Sequence, residues 1–109
     1  MNKELSEILN NIDDCAQRYE ALELINTLAQ GEILRKLTSN LFFLEKHRIQ
    51  AHTDWMEVYY SCKQTSNAAR AQWADNEVKE LYLIRRTMES GYKLVDAIRS
   101  TISIYKKEQ

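Results

Sequence analysis

The sequence predicts an all-α protein, built from two or three long antiparallel helices in a coiled-coil-like bundle or helical hairpin that assembles into an oligomer. Two observations carry this expectation. There is no proline, and only two glycines, Gly31 and Gly91, occur in 109 residues, so the two strongest helix breakers are nearly absent. Apolar residues also recur at gaps of three and four along most of the chain, which is the period of a helix face. The length and the 44% hydrophobic content suit one globular domain, residues 1–109, rather than a disordered chain.

The first helix is expected at about residues 3–29. Leu5, Ile8, Ile12, Cys15, Tyr19, Leu22, Asn26 and Ala29 form a heptad seam that packs lengthwise on a partner, with polar Asn26 at a core-type position where it sets register. Gly31 is read as the left-handed C-cap that ends it.

The second helix is expected at about 32–64. Leu34, Leu37, Leu41, Leu44, Ala51, Trp55, Val58 and Cys62 share its seam, and Arg48 occupies one seam position. Thr65-Ser66-Asn67 marks the next boundary, with Ser66 or Asn67 as N-cap, although a continuous bent helix is also compatible with the pattern.

The third helix is expected at about 67–106. Ala74, Val78, Leu81, Met88, Val95, Ile98, Ile102 and Tyr105 fall on one face, and so does Gly91. A small residue inside a long helix admits a close backbone approach or marks a bend. Unbroken from Asn67 to Tyr105, this helix would reach nearly 60 Å at about 1.5 Å per residue. That outgrows the cover the rest of the chain supplies, so self-association is expected, with Val95, Ile98, Ile102 and Tyr105 (and Ile104 beside them) as the contact between subunits. The competing expectation is a monomeric three-helix bundle.

The longest apolar run, Leu41-Phe42-Phe43-Leu44, is far too short to cross a bilayer. Met1 to Leu5 carry acid where a signal peptide carries a basic start, which places the chain in the cytoplasm. Cys15 and Cys62 are accordingly read as reduced, serving as small apolar residues.

Net charge is −1, but it is unevenly spread: two basic against six acidic side chains over residues 1–31, five against four over 32–66, and eight against six over 67–109. Arg35-Lys36, Lys46-His47-Arg48, Arg85-Arg86 and Lys106-Lys107 form basic stripes on the later helices, open to phosphate contact or else paired with Glu32, Glu45, Glu80 and Glu89. Aromatic residues accompany them. Single-stranded DNA is held by cations on its phosphates and flat rings under its bases. The candidates for that role are Arg35, Lys36, Lys46, Arg48 and Arg70, with Tyr59 or Tyr60 stacking. Trp55 lies on the seam and reads first as core.

Catalysis finds no footing. Asp13 and Asp14 point to different sides of a helix, His47 and His52 are five apart rather than four, and no cysteine pair has zinc-ligand spacing. Two glycines sixty residues apart make no phosphate loop. No enzyme activity, metal or cofactor is expected.

Ala74-Asp75-Asn76-Glu77-Val78, followed by Ser90-Gly91 and Asp96-Ala97-Ile98-Arg99-Ser100, resembles the C-terminal helical part of the UvsY family of T-even phage recombination mediators. The likeness covers about a quarter of the chain. This chain is shorter and nearly neutral, and its two blocks are spaced differently by about one turn. The resemblance implies a small oligomeric accessory factor that binds single-stranded DNA, contacts the single-strand-binding protein and the recombinase, and helps load the recombinase in a host cytoplasm. The alternative from the residues is a small helical inhibitor or adaptor of phage type that occupies a partner protein's surface without touching DNA, its acidic first helix facing a basic groove. A purely structural coiled-coil assembly is a third.

Overall fold

A computed structural model describes residues 2–23 and 26–107. It is all-helical: α1 (Lys3–Ala21), α2 (Thr27–Ser61), α3 (Asn67–Glu77) and α4 (Lys79–Lys107). The molecule measures 62 × 26 × 19 Å, a rod whose length is set by α2. At 35 residues, α2 spans about 52 Å and is the spine on which every other helix packs.

Three of the four helix starts have a side-chain acceptor for their orphan amides. Asn2 caps α1, its Oδ1 accepting from the amides of Glu4 at 2.7 Å and Leu5 at 3.3 Å. Asn26 caps α2 by accepting from the Ala29 amide at 3.1 Å. Ser66 caps α3 by accepting from the Ala69 amide at 3.1 Å, as its position in the sequence led us to expect.

Two boundaries differ from expectation, each for a local reason. The first helix ends at Ala21, where Leu22 turns to extended backbone, so Asn26 is a cap rather than a register-setting core residue, and Ala29 belongs to α2. Gly31 ends nothing. It lies inside the second turn of α2 with open space where a Cβ would stand, and its φ is not positive. The long third helix is divided at Val78, which leaves helical geometry (φ −119°, ψ 67°) while its amide still donates to the Ala74 carbonyl at 2.9 Å. Four helices therefore stand where two or three were expected.

The topology follows from cross-helix contacts. Asn11 bonds Asn40 at 3.1 Å and Lys36 bonds Asp14 at 3.2 Å, so α1 runs antiparallel to the first half of α2. Arg85 meets His52 at 3.3 Å and Trp55 donates to Asp75 at 2.8 Å, so α3 and α4 return antiparallel along the other flank. Helices α1 and α4 are thus parallel to each other, joined by the Tyr19 and Thr101 hydroxyls at 3.0 Å.

The core runs the length of the rod. Leu5, Ile8, Ile12 and Cys15 meet Ile33, Leu37, Leu41, Leu44 and Ala51 of α2, and Val78, Leu81, Ile84, Met88, Val95 and Ile98 close it from the third side. Gly91 is where the bundle is tightest, since a Cβ there would stand 2.7 Å from Leu41 Cδ2. Val95 and Ile98, expected between subunits, are buried within this chain's own core, because α2 is long enough to cover them. Ile102 packs against the same cluster and Tyr105 is half-buried, which leaves Ile104 as the exposed apolar side chain at that end. No helix among the described residues is long and apolar enough to cross a membrane.

Candidate nucleic-acid interface

Helix α2 presents three faces besides its core, because successive residues advance about 100° around a helix. The sequence-derived candidates on α2 divide among all three, and Arg70 lies on α3.

Lys36 lies on the flank that meets α1, where its ammonium contacts the Asp14 carboxylate at 3.2 Å. Its charge is matched inside the fold. Arg35, Lys46 and Tyr60 lie on the outer face, directed away from all other helices, and Tyr60 is exposed. Lys46 stands over the rings of Phe42 and Phe43, 5.2 and 5.4 Å from their centroids, a cation–π arrangement that anchors the ammonium on its own helix.

Arg48 and Tyr59 lie on the remaining flank, toward α3 and α4. Here a column of rings runs along α2: His52 stacks parallel to Trp55 with centroids 6.3 Å apart, Trp55 stacks on Tyr59 at 5.2 Å, and Tyr59 meets Tyr60 edge-on at 5.1 Å. The spacings of three and four residues put the His52, Trp55 and Tyr59 rings one above the next on a helix surface. Trp55 is held in place by its indole N–H, which donates to Asp75 of α3 at 2.8 Å. His52 is held by the Arg85 guanidinium of α4 at 3.3 Å.

Cations bracket this column. Arg48 precedes it by one turn and is clamped to Glu45, its Nε donating to both carboxylate oxygens at 3.0 and 3.1 Å. That bond holds the Glu45 carboxyl below its ordinary value and raises the Arg48 guanidinium above its own. Arg85 stands beside it, exposed to solvent. Arg70 lies on α3, where its Nε donates to the Gln64 carbonyl at 2.8 Å and ties the α2–α3 connection. Trp73, one turn later, is exposed.

The sequence-derived candidates include Arg48, Tyr59 and Tyr60, which the structure divides between two faces of α2, but not His52 or Arg85 as members of the ring column. His52 was weighed only as a metal ligand, and Arg85 is 33 residues away in the chain. A local signal for the rings existed in the spacing of 52, 55 and 59.

Elsewhere, an apolar groove of about 450 Å3 opens between α1 and α4 over Leu9, Ile12, Tyr19, Leu83, Gly91 and Leu94. Among the described residues no group of three or more His, Cys, Asp or Glu side chains comes together as a metal site. Comparison with known families, characterised proteins and solved structures returned no significant match.

Proposed function

We propose that the protein is a non-enzymatic accessory factor of homologous recombination that binds single-stranded DNA and helps load a recombinase. The observation that carries this reading is the ring column His52–Trp55–Tyr59, flanked by the guanidinium groups of Arg48 and Arg85. Single strands are held by stacking on rings that every base satisfies, with cations along the backbone. The resemblance of residues 74–78, 90–91 and 96–100 to phage recombination mediators supports the same reading, and implies a recombinase and a single-strand-binding protein as partners.

The chemistry is binding alone. Tyr59, stacked on Trp55 and met edge-on by Tyr60, offers its remaining surface to an unpaired base, while Arg85 meets the phosphates that follow. Arg70, Arg35 and Lys46 extend the positive field to neighbouring faces. Each site is small and weakly charged, so affinity rests on several sites engaging one strand.

Fluorescence anisotropy with a labelled oligothymidylate tests this. Tyr59→Ala combined with Arg85→Ala is expected to weaken binding at least roughly tenfold, since one stacked base contributes about 1–3 kcal/mol. Lys36→Ala, whose cation already faces Asp14, is expected to leave affinity unchanged. Binding is expected to fall steeply with salt. Absence of binding at low salt overturns the reading.

One observation favours a second reading. The cations of Lys36 and Arg48 face carboxylates of this chain, and net charge is −1, which suits an adaptor or inhibitor that occupies a protein surface. Such an interface would change little with salt, in contrast to phosphate contacts.

A further inference from the structure

Helix α2 is apolar on two opposite sides. One side is the core. On the other, Phe42, Lys46, Ile49, Thr53, Met56 and Tyr60 succeed one another at gaps of four and three, and the four apolar members are 63%, 54%, 40% and 70% exposed in chain order. That spacing is a heptad seam. A helix apolar on both sides is ordinarily covered on both, whereas α1, α3 and α4 cover only one.

We propose that this outer face of α2 pairs with the same face of a second copy, the two α2 helices running antiparallel. The proposal does not depend on the DNA reading.

Charge selects the occupant and its direction. The strip from Phe42 to Tyr60 is about 27 Å long and one helix width, about 10 Å, across. It therefore offers on the order of 300 Å2 of projected face per copy, the size of the largest apolar patch on a typical monomer, which is often functional. A parallel, in-register pair would set Lys46 against Lys46 and Arg35 against Arg35, like charges facing along one seam. An antiparallel pair with its two-fold axis between Ile49 and Thr53 removes both conflicts. It sets Phe42 against Tyr60 of the second copy, Ile49 against Thr53, and the Lys46 stem against Met56 with its ammonium beside Glu57. An isologous contact of this kind closes on itself as a dimer.

The pair has a consequence for the ring column. Tyr60 and Lys46 enter the seam, while His52, Trp55 and Tyr59 remain on its flank, so the columns of both copies lie on one face of the dimer, on opposite sides of the two-fold axis that passes through it.

The test is light scattering over a concentration series, together with crosslinking. The wild-type chain is expected to run as a dimer. Phe42→Gln with Ile49→Gln is expected to shift dissociation to at least roughly tenfold higher concentration with helicity unchanged, both side chains being more than 40% exposed. Ile104→Gln is expected to leave the dimer intact. In a Cys62→Ser background, Phe42→Cys with Tyr60→Cys is expected to give an oxidised covalent dimer, whereas either cysteine alone does not. A monomeric wild type, a dimer indifferent to the glutamines, or self-crosslinking by Phe42→Cys alone would each overturn the proposal. Oligothymidylate binding by the glutamine variant is read separately, so loss of the dimer and loss of the DNA site are distinguishable.

Discussion

Gly31 and Gly91 are both helical, yet replacing them has opposite consequences. A Cβ at Gly31 meets nothing within 4 Å, so Gly31→Ala is expected to stabilise the protein by about 1 kcal/mol through helix propensity alone. At Gly91 the same methyl would press on buried Leu41 at 2.7 Å, and an overpacked core loses about 1–3 kcal/mol. Gly91→Ala is therefore expected to lower stability by about 1 kcal/mol in urea denaturation, once the propensity gain of about 1 kcal/mol is subtracted. Cys15 and Cys62 divide in a similar way. Burial pushes the Cys15 thiol up from 9.0, and since the thiolate is the reactive form, maleimide is expected to label half-buried Cys62 in the native protein and Cys15 only on unfolding. Glu45 reports on pH. Its carboxyl is lowered from 4.5 chiefly by the bond from Arg48, so its stabilising contribution is complete above that value and is lost as pH falls through the lowered one. Acid titration of Glu45→Gln is expected to show a shallower loss than wild type over that interval. Gly91 was legible in the sequence because it interrupts an apolar face. Gly31 was not, since a capping glycine and an interior one look alike until the backbone angles are known.

At the scale of elements, a helix beginning was legible where its capping residue stood outside the apolar seam. An Asn or Ser followed by a helical run satisfies orphan amides from within the local sequence, as Ser66 does. Asn26 carried the same chemistry, but its position in an apparently continuous seam concealed it: Leu22, Asn26 and Ala29 hold helical spacing across a real break. Asn26→Ala is expected to cost about 1 kcal/mol by loss of the cap, measured as a lowered urea midpoint, whereas a residue merely tuning register would change assembly instead. The division at Val78 had no sequence signal either. Ala74, Val78 and Leu81 keep perfect spacing, and all three are buried, so the backbone bends without moving any of them off the core.

The whole molecule is one continuous core arranged around α2, and that has a cooperative consequence. Ile8 of α1 and Ile98 of α4 belong to the same buried cluster, and truncating a buried isoleucine to alanine costs about 2–5 kcal/mol. Ile8→Ala and Ile98→Ala are each expected to lower a single transition, with far-ultraviolet dichroism and tryptophan fluorescence coincident. Separate transitions would mean that α1 and α4 belong to independent units. By itself the sequence determined that the chain is helical and which seams turn inward, though not that Gln30, Ile33 and Ile84 are buried with them. Those properties depend on neighbours three and four residues away, and such neighbours are written side by side in the chain. Only the tertiary structure decided that Val95 and Ile98 are covered within one copy, that Lys36 and Arg48 face carboxylates, and that Arg85 joins His52 beside the ring column. Those outcomes depend on which flank of α2 each returning helix takes, and that choice is made by packing between residues tens of positions apart.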